Sequence, residues 1–221
     1  MTLLTRYQNN EEIIEIGVDE VGRGPMFGRV YCAAVILPND QSIFDHSLMK
    51  DSKKFTSEKK LIATADYIKK HCIAYSIGYM DESIIDNNNI KNATHKAMHS
   101  AIKNIISFKN DNLLLIDGSN FLPITYLSEN IIKEVPTVCI EGGDNKYSAI
   151  AAASIIAKVE RDKYIYELCD KYPKLNELYD LRKNKGYGTK KHMDGIKEYG
   201  ITQWHRKSFG ICQRSVVNII E

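Results

Sequence analysis

Residues 112–118 read Asn-Leu-Leu-Leu-Ile-Asp-Gly, an almost unbroken apolar run that stops on a carboxylate and a glycine. A strand this apolar has no solvent face, so it belongs inside a sheet covered by helices on both sides, an α/β arrangement. Its terminal Asp117 then lies at the sheet edge, where sites in α/β folds collect. The segment Ile13 to Val21 makes a similar statement: Ile14, Ile16 and Val18 alternate along a strand that ends in Asp19 and Glu20, with Gly22-Arg23-Gly24 directly after. Side chains alternate faces along a strand, so the two acids point opposite ways unless the chain bends where the glycines begin. Gly22 and Gly24 permit such a bend and leave backbone polar groups open to a ligand, with Arg23 held between them. Taken alone, the same stretch reads equally well as an exposed acidic turn.

The other segments fit a sheet with covering helices. Val30 to Leu37 is a second strand, joined to the first by a loop short enough for antiparallel pairing. In Asp51-Ser52-Lys53-Lys54-Phe55-Thr56-Ser57, Thr56 or Ser57 can cap a helix running to about Lys70. The lysines there, Lys53 among them, suit either a phosphate or a plain solvated loop. His71 to Tyr79 alternates as a strand, and Asp81 to Phe108 is helical with a break near Asn87-Asn88-Asn89. Asp81-Glu82 reads as a helix cap. His95 and His99 stand i, i+4 on that helix, but no metal motif surrounds them. Val135 to Ile140 is a further strand, and Lys146 to Lys171 is a long helix whose alanines allow close approach to the sheet. Asp144 just before it reads, in isolation, as an N-cap. Met1 to Asn10 reads as a loose leader.

Composition narrows the class. The 221 residues suit one α/β domain with a small appendage, divided here as 1–172 and a helical region 173–221. No apolar run approaches the roughly 20 residues of a membrane span, and the first residues lack a signal peptide's apolar core, so the expected location is the cytoplasm. Five cysteines stand far apart without a Cys-x-x-Cys pair, which points to free, packed thiols rather than disulfides or structural zinc. Charge is uneven: residues 1–170 carry 19 basic and 23 acidic side chains, whereas 171–221 carry 11 and 5. An acidic body with a basic tail suits a metal site beside a polyanion, although a Lys-rich solvated helix surface has the same composition. In that tail Tyr187 stands between Gly186 and Gly188 among lysines, placed either to stack on a sugar or base or to cover a local apolar spot.

Three separate segments thus deliver Asp19 with Glu20, Asp117 and Asp144 to strand ends or helix starts. Four acids brought together repel one another unless cations intervene. All-oxygen ligands favour Mg²⁺ or Mn²⁺, and two such ions about 4 Å apart are a device for in-line phosphodiester cleavage. There is no Gly-x-Ser-x-Gly elbow or Walker-type loop to suggest another chemistry.

Five motifs in order, Asp19-Glu20-Val21-Gly22-Arg23-Gly24-Pro25, Asp51-Ser52-Lys53-Lys54, Leu114 to Gly118, Gly143-Asp144 with Ala151 to Asp162, and Lys185 to Thr189 with His205 to Phe209, resemble those of bacterial ribonuclease HII, the type 2 ribonuclease H. The resemblance spans about residues 13–210. It implies a ribonuclease H-like mixed five-stranded sheet flanked by helices, with a small helical C-terminal region completing the substrate cleft. It implies that Asp19, Glu20, Asp117 and Asp144 are the catalytic, metal-binding carboxylates and that two Mg²⁺ or Mn²⁺ ions act on bound substrate. It further implies that Gly22, Arg23 and Gly24 read a ribose 2′-OH, that Lys53 meets a phosphate, and that Tyr187 stacks on the sugar at an RNA–DNA junction. The partners implied are RNA–DNA hybrids and DNA duplexes with embedded ribonucleotides; the expected state is a monomer. The type 3 enzymes carry Lys where Arg23 stands. Met26-Phe27-Gly28-Arg29 departs from the small residues and second proline usual in the family, and Phe55 replaces its usual Leu.

Overall fold

Runs of Ile, Val, Leu and Ala pair into one mixed sheet in the computed structural model, which describes residues 3–220. The chain forms β1 (Ile14–Val21), β2 (Val30–Ile36), helix α1 (Glu58–His71), β3 (Ala74–Met80), helix α2 (Glu82–Lys103) and β4 (Asn112–Asp117). A hairpin of β5 (Thr125–Ser128) and β6 (Ile131–Glu134) stands apart, and β7 (Thr137–Ile140) closes the main sheet in the order β3-β2-β1-β4-β7. β1 runs antiparallel to β2 and parallel to β4, and β4 is parallel to β7. The expected five-stranded mixed sheet is therefore present.

Helices cover both faces, as the apolar run of β4 requires. Ile16, Val18, Leu114 and Ile116 pack with Ala97, Met98 and Ile102 of α2. Residues of the opposite parity meet helix α3 (Ser148–Lys171), where Leu113 and Leu115 contact Ile150. The contact of α3 with β1 is unusually close: a Cβ on Gly17 would collide with the backbone of Ala149, so glycine under an alanine-rich face sets the separation. This is the close approach read from the alanines of 149–153. Ser57 caps α1 as expected, through Lys60 N–H at 3.5 Å.

The chain ends in α4 (Lys174–Tyr179), α5 (Leu181–Asn184) and α6 (Lys190–Tyr199). Leu175, Tyr179, Leu181 and Ile196 form a core with Ile165 of α3 and with Met26 and Phe27 from the loop joining β1 to β2. That packing seats the C-terminal helices against the residues that follow Asp19 and Glu20. Among the described residues no helix is long and apolar enough to cross a membrane.

Several expectations need correction. The segment before residue 10 is not loose: Leu4 exchanges backbone hydrogen bonds with Lys146 and Ser148, and Tyr7 and Gln8 N–H donate to the Glu15 carboxylate. Met1 and Thr2 lie outside the described residues. Helix α1 runs through His71, so β3 begins only at Ala74. Val135 precedes β7, and the hairpin before it carries Leu127, Ile131 and Ile132 exposed. The break expected in α2 is present, at Asn89, whose φ of 61° lies outside the helical region. Asp81 caps that helix, but Glu82 is buried and accepts from the Tyr164 hydroxyl at 3.1 Å. The cysteines are free, yet Cys139 is exposed rather than packed.

Candidate active site

The parallel register of β1 on β4 aligns Val18 with Ile116, so Asp19 and Asp117 come next to each other at the carboxyl ends of adjacent strands. Both face α3. Asp19 is buried; its Oδ1 accepts the N–H of Glu20 at 2.6 Å, and the Ser154 hydroxyl of α3 also binds its carboxylate. Burial raises the Asp19 carboxyl well above the usual carboxylate range, and the charges of Glu20 and Asp117 push the same way. β1 stays regular through Val21, paired with Tyr31, so the bend comes after the acids and not between them. Glu20 consequently points away from Asp19. Burial lifts it to about 6, opposed by Arg23 and reinforced by Asp117. Arg23 Nη1 lies 3.4 Å from Glu20 Oε1, with half of its side chain open to solvent.

Asp144 enters from the other side. It sits in a single tight turn, residues 143–145, preceded by left-handed Gly142, and Tyr147 rather than Asp144 is the residue before α3. The N-cap reading of Asp144 is therefore wrong. Gly143 N–H donates to Asp117 Oδ1 at 2.6 Å, which ties the turn to the end of β4. Asn145 Nδ2 donates to Asp144 Oδ1 at 2.9 Å and to Asp51 Oδ2 at 3.3 Å. Burial, then Asp51 and Asp117, raise the Asp144 carboxyl, against the pull of Lys53. Lys53 in turn feels all of these acids: burial works against its charge, but Asp51, Asp144, Asp19 and Asp117 together raise its ammonium above the ordinary value. Lys53 thus stands among the carboxylates.

The donor set is all oxygen apart from that lysine, and Asp19, Glu20 and Asp144 are raised first by burial and then by the charge of neighbouring carboxylates. Both features fit hard divalent ions. Among the described residues, however, no three acidic, His or Cys side chains close into a ready-made cage.

The glycine loop lies beside these acids. Gly22 has φ of 95°, and a Cβ there would collide with Nε of Arg161. A side chain begun at Gly24 would start 3.5 Å from the Tyr187 ring, so the loop and Tyr187 are neighbours; that ring is 45% exposed.

The ribonuclease HII family model matches residues 16–212, from β1 past the His205–Phe209 string. The chain belongs to the ribonuclease HII family. It is accordingly a ribonuclease H, a hydrolase that cleaves the RNA strand of RNA–DNA hybrids. The ribonuclease HII of Bacteroides thetaiotaomicron is 41% identical over 210 residues, which cover 95% of this chain and 96% of that one. Among solved structures, ribonuclease H2 from Pyrococcus horikoshii superposes with a TM-score of 0.71 at 22% identity, covering 91% of this chain and 96% of the other. A Bst ribonuclease HIII in complex with Mn²⁺ gives 0.54 at 19% identity over 72% of this chain and 55% of that one. At such identities these two likenesses establish the shared fold.

Sequence reasoning passed over several residues that shape the site in this ribonuclease H. Arg161 and Arg206 are both fully buried. Arg206 donates to the carbonyl oxygens of Gly22, Arg23, Pro25 and Gly28, and Arg161 to those of Phe27, Arg29 and Lys185. Asp51 supplies a fifth carboxylate, and Ser154 links Asp19 to Ser52 through a hydroxyl contact of 3.0 Å. All of these lie inside motifs quoted above, Asp51 and Ser52 in Asp51 to Lys54, Ser154 and Arg161 in Ala151 to Asp162 and Arg206 in His205 to Phe209, but nothing in those motifs showed what the side chains touch.

Proposed function

We propose that this member of the ribonuclease HII family also cuts DNA duplexes 5′ to an embedded ribonucleotide, leaving 5′-phosphate and 3′-hydroxyl ends, and so serves ribonucleotide repair in the cytoplasm as a monomer. The observation that carries the reading is the juxtaposition of the acids with the Gly22–Gly24 loop and the Tyr187 ring. A 2′-OH is the group by which one ribonucleotide in DNA differs from its neighbours, so a site selective for it needs backbone groups presented at close range. Arg206 supports that need by holding the loop from below through its carbonyls. Tyr187 is placed to stack on the adjoining sugar, and residues 173–221 complete the cleft over the catalytic body 1–172.

Asp19, Glu20, Asp117 and Asp144 would hold two Mg²⁺ or Mn²⁺ ions; a ribonuclease HIII of the same fold is known with Mn²⁺. When bound, such ions activate water and stabilise the leaving oxygen of a phosphodiester. The chain's own contribution is positional. Gly143 N–H orients Asp117, Ser154 orients Asp19, and Asn145 orients Asp144. Lys53 is placed to neutralise part of the acidic field and to meet a substrate phosphate.

The test is a labelled DNA duplex with one ribonucleotide, beside an all-DNA duplex, in Mg²⁺, in Mn²⁺ and in chelator. A metal-dependent cut 5′ of the ribonucleotide, absent from the all-DNA duplex, is the expected result. Equal cutting of both duplexes would sink the proposed 2′-OH selectivity.

A further inference from the structure

Two buried histidines connect the far side of the C-terminal region to Tyr187. Thr202 N–H donates to His205 Nδ1 at 2.9 Å. A backbone amide can only donate, so Nδ1 of His205 is an acceptor and the proton of the neutral ring sits on Nε2. That Nε2 lies 3.1 Å from Nε2 of His192, which must therefore accept. The His192 proton is then on Nδ1, 2.9 Å from the backbone carbonyl oxygen of Tyr187, to which it donates. One amide thus dictates the tautomer of both rings and the direction of every bond in the chain. Both rings are buried, and Phe27 and Tyr179 each pack edge-on against His205.

The neighbouring residue reaches the other way. Arg206 N–H donates to Met26 O at 2.8 Å, and its guanidinium binds the carbonyls of Gly22, Arg23, Pro25 and Gly28. Met26 N–H donates to Gly186 O, joining the two arms. His205 and Arg206 therefore hold the Tyr187 turn with one side chain and the Gly22–Gly24 loop with the next.

We infer that His192 is a positioning residue for Tyr187: its Nδ1–H, oriented by His205, fixes the stacking ring at a set distance from the Gly22–Gly24 loop and thereby sets selectivity for RNA–DNA junctions. This inference rests on the junction reading given above. Removing the Nδ1 donor leaves the Tyr187 carbonyl with Thr189 N–H alone, at 2.8 Å, which loosens the turn and weakens the ring's discrimination between a junction and a continuous hybrid.

The substitutions separate this role from mere filling of the core. His192→Asn places an amide donor where Nδ1 stands but leaves His205 Nε2 without a partner. His192→Gln satisfies His205 but cannot reach the Tyr187 carbonyl. The readout is the ratio of kcat/KM on a duplex with one embedded ribonucleotide to kcat/KM on a continuous RNA–DNA hybrid, with melting temperatures measured alongside. The expected result is a ratio kept within about twofold in His192→Asn and lowered roughly five- to tenfold in His192→Gln, the loss worth one hydrogen bond. Melting temperature should rank the two variants the other way. In a Tyr187→Ala background the two substitutions should give equal ratios, because the residue through which His192 acts is gone. Ratios that simply follow melting temperature, or that differ equally in both backgrounds, would overturn the inference. Wild-type protein that cuts the hybrid but not the embedded ribonucleotide would instead overturn the junction reading itself.

Discussion

Arg206 Nη2 donates to the carbonyl oxygen of Gly22 at 2.6 Å from 184 positions further along the chain. The same guanidinium binds the carbonyls of Arg23, Pro25 and Gly28, so one buried cation satisfies four backbone acceptors of a loop that has no secondary structure of its own. Burial, with Arg161 as a second cation close by, lowers the Arg206 pKa to about 9, the cost of taking the charge out of water, which the carbonyl acceptors offset only in part. Arg206→Met should cost on the order of 3–5 kcal/mol, because it strands buried acceptors. Arg206→Lys keeps the charge but not the planar fork and should recover only part of the loss. Chemical denaturation measures the cost, and limited proteolysis between residues 22 and 29 should show faster cleavage in both variants.

Gly22→Ala should be damaging out of proportion to one methyl group. Its φ of 95° suits glycine, and the added Cβ would meet Arg161, which is itself pinned to three carbonyls and cannot step aside. The expected outcome is a loss of about 2–4 kcal/mol together with a weakened preference for ribose over deoxyribose. Arg161→Ala combined with Gly22→Ala relieves the clash; a double-mutant cycle on stability should therefore give a coupling of at least about 1 kcal/mol.

How much of this could be read from the chain depends on the range of the interactions. Asp19 and Asp117 were legible because each follows an apolar strand run at or near its end, a pattern contained in six or seven neighbouring residues. The individual strands and covering helices followed from the same local periodicity, whereas their joining into one mixed five-stranded sheet rested on the family resemblance. Asp144 was legible as a residue but not as a position, since the turn at 143–145 is set by Gly143 N–H reaching Asp117, 26 residues earlier. Residues 3–10 looked loose because their partners, Lys146, Ser148, Glu15 and Asn39, are remote or lie across a turn. The β5–β6 hairpin left no trace: its β6 residues are all exposed, so no alternation of burial marks it. Arg161 and Arg206 stood inside motifs, but their roles were illegible for a stronger reason. Arginine is read as surface by default, and a buried one is compensated by backbone carbonyls that no sequence pattern records.

Asp19→Asn should separate stability from activity. Asp19 is raised well above the usual carboxylate range by burial and by Glu20 and Asp117, so in metal-free protein its charge works against the fold. Neutralising it should leave stability in chelator unchanged or higher by about 1 kcal/mol, while cleavage falls by a factor of roughly 10³ or more. Titration with Mg²⁺ or Mn²⁺ gives the complementary measurement: wild-type protein should gain melting temperature with added ion, and Asp19→Asn should gain less. A variant that loses stability in chelator would show that Asp19 is held chiefly by Ser154 and the Glu20 amide rather than strained by its neighbours.

Acid sensitivity should trace in part to His205. Burial, with His192 beside it, lowers its pKa to about 3 from an ordinary value near 6.5. Between those values an unfolded chain takes up a proton on this imidazole while the folded protein keeps it neutral, accepting from Thr202 N–H and donating to His192. More protons bound in the unfolded state means that stability rises with pH; conversely, it falls as pH drops below about 6.5 and stops falling near 3. At pH 5 the loss from this one group should be about 2 kcal/mol. Glu20 acts in the opposite sense, since its folded value of about 6 is raised above the usual carboxylate range. Comparing wild-type protein with His205→Gln at pH 7.5 and pH 5 cancels Glu20 from the difference, because the amide of glutamine preserves a donor toward His192 and does not titrate. The variant should lose less stability than wild type over that interval, and identical losses would place the acid-sensitive group elsewhere.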